Sequence, residues 1–173
     1  ARRLLSATRA SCSMNDERWN RLQLLEDATA YTSQSQSARL WSEDWVRGNM
    51  FCPACIAPAI SKLPNNSPVA DFHCGNCDEQ FELKSQRGRF GGKIVDGAYK
   101  TMTQRLAARD NPNLVLVRYD RAALSVSDLI VIPKHFFTPQ IIEARKPLSP
   151  TARRAGWQGC NILLEGVPDA GRI

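Results

Sequence analysis

From Asn15 to Ala28 apolar residues recur every third position, at Trp19, Leu22, Leu25 and Ala28, which predicts a short amphipathic helix. The polar run 31–37 has no apolar period and reads as a linker. Ala38, Trp41, Trp45 and Val46 then mark a second helix, with Gly48 as its stop. Two candidate strands follow, Val69 to Phe72 and Gln80 to Ser85. In the second, Phe81 and Leu83 alternate with Glu82 and Lys84, so one face is apolar and the other charged. Gly88, Gly91 and Gly92 make the next segment a loop carrying Arg87, Arg89 and Lys93. Val95, Ala98, Tyr99, Met102 and Leu106 predict a helix running to about Arg109, ended by Asn111-Pro112. Residues 114–119 and 129–132 are β-branched, apolar runs bounded by turn residues, as buried strands are. Pro133, Pro139, Pro147 and Pro150 punctuate the tail, in which Asn161 to Leu164 read as an edge strand. The order αα, ββ, α, ββ implies an α/β (α+β) fold, a mixed sheet flanked by helices.

A chain of 173 residues buries one sizeable core, so a single domain over 31–173 is expected behind an N-terminal extension over 1–30. Lys and Arg outnumber Asp and Glu by 23 to 17, and the net charge of +6 favours a polyanionic partner such as nucleic acid. No apolar run approaches the roughly 18 residues that span a bilayer, so no membrane partner is expected. Residues 1–13 hold Arg2, Arg3 and Arg9 and no acid, a composition that superficially suits a transit peptide. Because residue 1 is Ala and Met14 precedes an ordinary charged mixture, an extended gene model or a flexible tail is the better expectation.

Cys52-x-x-Cys55 and Cys74-x-x-Cys77, separated by eighteen residues, have the spacing of two knuckles whose thiolates close on one zinc ion. Disulfides and an iron–sulfur site are the alternatives, and Cys12 and Cys160 have no paired spacing. Four thiolates leave no open coordination position, which makes such a zinc structural. His73 and His135 are then expected as ordinary strand or surface residues.

Catalysis has to come from elsewhere. Ten residues lie between Asp71 and Glu82, which opens Glu82-Leu83-Lys84, the spacing of PD-(D/E)xK nucleases. If the cysteine knuckle turns the chain between two antiparallel strands, both carboxylates reach one hard cation, most plausibly magnesium. Such an ion neutralises charge on a scissile phosphate and activates a water, with Lys84 as base or electrostatic stabiliser. A solvated strand face with one salt bridge explains the same residues.

The surrounding residues decide between these. Asp44-Trp45-Val46, Cys-Pro-x-Cys at 52–55, Pro68-Val-Ala-Asp71-Phe72 and Phe81-Glu-Leu-Lys-Ser85 occur in one order. Asp96-Gly-Ala-Tyr99, Asn111-Pro-Asn113, Ile132-Pro-Lys134, Phe136-Phe-Thr-Pro139, Pro150-Thr-Ala-Arg-Arg-Ala-Gly-Trp157 and Gly159-Cys-Asn161 continue it. From about Ser35 to Ile173 the chain resembles the DpnI family of methyl-directed type II restriction endonucleases, the Dam-replacing proteins. The resemblance implies a PD-(D/E)xK endonuclease domain with a structural zinc, a bacterial cytoplasmic enzyme cutting double-stranded GATC sites that carry N6-methyladenine. Asp71, Glu82 and Lys84 fall on the family's catalytic positions, with magnesium on Asp71 and Glu82, and Cys52, Cys55, Cys74 and Cys77 on its zinc ligands. Trp157 matches an aromatic residue that the family sets against the methylated bases, and Arg153 and Arg154 beside it suit phosphate or guanine edges. No small-molecule substrate is implied. The family's usual C-terminal winged-helix domain is not expected within these 173 residues. A zinc-containing module that binds methylated DNA without cutting it remains the alternative, and a zinc-stapled structural or RNA-binding protein ranks behind it.

Overall fold

A computed structural model describes residues 34–172 apart from 66, 121 and 124. The helix expected over Asn15 to Ala28, and the 1–30 extension with it, lie outside the described residues.

The chain forms helix α1 (Gln34–Asn49), strands β1 (Ser61–Lys62), β2 (Phe72–His73), β3 (Gln80–Gln86) and β4 (Lys93–Ala98), then helix α2 (Tyr99–Leu106). Strands β5 (Asn113–Asp120), β6 (Ser125–Ile132), β7 (Ile142–Ala144) and β8 (Gly159–Leu163) follow among the described residues. They make two sheets, a five-stranded one in the order β1-β2-β3-β5-β6 and a three-stranded one in the order β4-β8-β7. The larger sheet is mixed: β3 and β5 run parallel, and the other neighbours antiparallel. The fold is therefore α+β with a mixed sheet, as its pattern of elements implies.

Each face of the large sheet has its own core. On one side Phe81 and Leu83 of β3 and Val115 and Val117 of β5 pack with Trp45 and Val46 of α1 and with Cys52 and Cys74. On the other, Leu114, Leu116 and Ile132 pack against Ile94, Ile142 and Ile162 of the small sheet and Met102 and Leu106 of α2. Glu82 lies opposite Leu114 and Lys84 opposite Leu116, so the charged positions of β3 share the face that the small sheet covers. Glu82 is 5% exposed, which removes the solvated strand face as an explanation of these residues.

Several boundaries differ from expectation, each for a local reason. α1 begins at Gln34 and takes in half of the expected linker, because Gln is a good helix former and Ser suits the start of a helix. It also passes Gly48 to end at Asn49, whose side-chain amide donates to the Trp45 carbonyl at 2.8 Å. The strand expected from Val69 starts only at Phe72, because Val69 lies at φ 62° and Ala70 N–H donates to Pro68 O at 2.9 Å. That is a positive-φ γ-turn, a rare and strained one. The helix expected from Val95 is a strand as far as Ala98. Ile94 is buried and Val95 65% exposed, so a period of two prevails there, and the helix starts only at Tyr99. β8 is the centre of the small sheet rather than an edge, since the Pro-punctuated segment before it hides β7.

The Asn111-Pro112-Asn113 turn locks the entry to β5. Asn111 donates to the carbonyls of Lys134 and Phe137, while Asn113 donates to Glu79 and accepts from Lys134 N–H. Among the described residues no helix is long and apolar enough to cross a membrane.

Candidate functional site

The cysteine hairpin is built from two matching turns. Ile56 N–H donates to Cys52 O and Asp78 N–H to Cys74 O, with Ile56 and Asp78 at φ 61° and 59°. Cys52 N–H then donates to Ala57 O and Cys74 N–H to Glu79 O. The four sulfur atoms lie within 4.8 Å of one another. The Cys52–Cys77 and Cys55–Cys74 separations are 3.7 and 3.6 Å, far from the ~2.05 Å of a disulfide. They match the edge, roughly 3.8 Å, of a tetrahedron with metal–sulfur bonds of ~2.3 Å. The Asn76 side-chain amide donates to Cys55 Sγ, and this together with the Ala57 amide pulls the Cys55 thiol down to about 6. Thiolates so disposed can bind a metal such as zinc. His73 stays in β2 and His135 stacks near Phe136, neither belonging to this group.

The Cys74–Cys77 turn of this hairpin lies between Asp71 and Glu82 in the chain and joins the strands beside them. Across it β2 and β3 pair antiparallel, Phe72 opposite Phe81. Asp71 N–H donates to Phe81 O, and Asp71 Oδ2 accepts from Leu83 N–H at 2.8 Å, so both the backbone and the side chain of Asp71 are fastened to β3. The γ-turn at Val69 bends the chain immediately before this contact.

Asp71, Glu82 and Lys84 line one cleft of about 260 Å³ together with Arg39, Ser42 and Glu43 of α1. Ser42 Oγ meets Ser85 Oγ at 2.8 Å and pins the helix to the strand. Arg39 reaches across the cleft, to Glu43 at 2.5 Å and Asp71 at 3.3 Å, and Lys62 pairs with Glu43 at 2.8 Å. Lys84 is paired on two sides, with Glu82 and with Asp96 Oδ1 at 2.8 Å. Three of the residues found here, Arg39, Glu43 and Asp96, carry no role in the sequence reading. Asp96 was visible only as part of the Asp96-Gly-Ala-Tyr99 match, and the others had no signal beyond their place on a helix facing Asp71.

Among the described residues the cleft cluster holds one more acidic side chain than basic. Asp71, Glu43, Glu82 and Asp96 face Arg39, Lys62 and Lys84, four acids against three cations. Burial pushes the Glu82 carboxyl up to about 8, against the pull of Lys84 and with the help of Asp71 and Asp96. Burial also raises Asp71, although the Leu83 amide and Lys84 oppose it. For Lys84 burial acts downward, but Glu82 and Asp96 outweigh it and hold the ammonium above the ordinary lysine value.

Trp157, Arg153 and Arg154 lie apart from this lining, on the loop before β8. Arg154 caps the Trp157 ring at 4.4 Å. Gly156 takes φ 75°, and the loop closes through Leu148 N–H to Trp157 O and Gly156 N–H to Leu148 O. Trp157 is half-buried rather than a core residue, and Arg153 and Arg154 are exposed. A Cβ at Gly159 would stand 3.1 Å from the Trp157 ring, so the indole lies close against β8 at this glycine.

Two outcomes follow from this geometry. A raised carboxyl pKa means that the folded state binds a proton which the unfolded state releases. The contribution of Glu82 to stability is thus complete below its unfolded value of 4.5 and lost as pH rises through about 8. Denaturant unfolding of the protein freed of divalent cations should show this loss, and Glu82→Gln should flatten it; an unchanged pH profile in the variant contradicts the assignment. Separately, a chelator strong enough to empty the four-thiolate site should lower Tm by on the order of 10 °C, because binding energy there is folding energy. A Tm indifferent to the chelator, with no metal released, contradicts a metal-filled hairpin.

Comparison with known protein families matches residues 22–173 to the Dam-replacing family, DpnI. The match begins at residue 22, so part of the segment expected to be an extension is shared with the family. Membership points to a restriction-related function directed at DNA. This chain belongs to the DpnI, or Dam-replacing, family.

Proposed function

We propose that the protein is a magnesium-dependent PD-(D/E)xK endonuclease that hydrolyses double-stranded DNA at GATC sites whose adenine carries an N6-methyl group. The observation that carries this reading is the convergence of Asp71, Glu82 and Lys84 on one cleft.

Asp71, just before β2, and Glu82 of β3 offer hard oxygen donors, the donor chemistry magnesium takes. A magnesium ion bound there would neutralise charge on the scissile phosphate and acidify a bound water. Lys84, held protonated between Glu82 and Asp96, favours the part of charge stabiliser over that of base. Arg39 stands 61% exposed at the mouth with its guanidinium on Asp71, placed to exchange that partner for a DNA phosphate. Zinc in the four-thiolate site has no open position, so its part is to hold Asp71 and Glu82 in register. The Trp157 ring suits a methyl group that water solvates poorly, with Arg153 and Arg154 beside it for phosphates or base edges.

Digestion of Dam-methylated and unmethylated plasmid side by side, with magnesium, tests the reading. The wild type should cut only the methylated plasmid, and Asp71→Asn should slow cutting by roughly a thousandfold, as loss of a metal-organising group does. Equal cutting by Asp71→Asn overturns the site. Binding of methylated DNA without cutting, whatever the divalent cation, means a recognition module instead.

A further inference from the structure

Asp96 stands on β4, in the sheet laid over the charged face of β3, with its side chain 8% exposed. Its Oδ1 accepts from Lys84 Nζ at 2.8 Å and from Gly97 N–H at 2.6 Å. Its Oδ2 is buried and has no hydrogen-bond partner among the described residues. A buried carboxylate oxygen left unpaired is uncommon, because nothing returns its lost hydration. The strand is also irregular at this point: Asp96 lies opposite Cys160 and Ala98 opposite Gly159, leaving Gly97 out of the ladder. A bulge of this kind re-aims the side chain beside it.

We propose that Asp96 is a positioning residue, which holds the Lys84 ammonium from the second sheet. The proposal rests on the reading above, in which Lys84 acts on the phosphodiester. A lysine is a point charge on a flexible four-carbon stem. Glu82, two residues away on the same strand, constrains the ammonium from one side only. Asp96 constrains it from the facing sheet, and of the three N–H donors one then remains for a phosphate oxygen or the attacking water. The backbone around Asp96 is stitched to the segment that follows Trp157. Cys160 Sγ meets Gly97 O at 3.5 Å, and Tyr99 N–H donates to Gln158 O at 3.0 Å. The indole itself rests on Gly159, opposite Ala98. The placement of Lys84 is thereby tied to the loop that bears the aromatic residue.

The test uses the full chain as wild type, Asp96→Ala and the shape-preserving Asp96→Asn, with two readouts. In the first, amine acylation by an N-hydroxysuccinimide ester is followed at each lysine by peptide mass spectrometry. Asp96→Ala should raise labelling of Lys84 about tenfold while Lys62 and Lys134 stay unchanged, and Asp96→Asn should fall between. In the second, single-turnover cleavage of a methylated GATC duplex should slow by about a hundredfold in Asp96→Ala, with duplex Kd in EDTA within about twofold of wild type. Lys84 labelling at the wild-type level in both variants overturns the proposal. So does labelling that rises at every lysine together with weaker duplex binding, which is the mark of a loosened fold. If the labelling contrast appears but the wild type cuts no DNA, the hold on Lys84 stands and the nuclease reading falls.

Discussion

The structure depends on charge buried between two sheets. Glu82 and Lys84 occupy positions on β3 that an ordinary strand would give to solvent, and the β4-β8-β7 sheet closes over them. Burying an ion pair costs more than an apolar pair of the same shape, and breaking one by removing a partner typically costs about 3–5 kcal/mol. Burial, more than the neighbouring charges, pushes the Glu82 carboxyl up to about 8.

The rest of the architecture holds this cluster in shape. The cysteine hairpin closes the turn between β2 and β3, and the strained turn at Val69 delivers Asp71 onto β3, where Leu83 N–H receives its side chain. α1 forms the opposite wall, pinned through Ser42 to Ser85. Trp45 and Val46 on the same helix enter the core beside Cys52 and Cys74, so one packed unit positions both the hairpin and the wall of the cleft. The small sheet supplies the roof and carries the Trp157 loop on the strand next to Asp96.

Much of this was legible in the sequence. Alternation in Phe81-Glu82-Leu83-Lys84 gave the strand and its two unlike faces, and the cysteine spacing predicted a single four-thiolate cluster. The apolar runs around Val115 and Val131 were recognisable as strands because their chemistry is local. What stayed hidden depends on partners distant in sequence. Residues 93–98 form a strand because β8, more than sixty residues away, pairs with them. Asp96 was seen only as one letter of a matching motif, since nothing near it in sequence shows that it meets Lys84. Arg39 and Glu43 belong to the cleft only because the helix crosses β3 at Ser85. The γ-turn at Val69 was masked by a β-branched residue that normally marks a strand.

The central claim is that one cleft, lined by Asp71, Glu82 and Lys84, holds a single catalytic divalent cation. Anomalous diffraction from crystals soaked in manganese(II) tests it most directly. The account predicts one manganese peak between β2 and β3, bonded to a carboxylate oxygen of Asp71 and of Glu82, and its disappearance in Asp71→Asn. Manganese that binds elsewhere and leaves both carboxylates unengaged would contradict it.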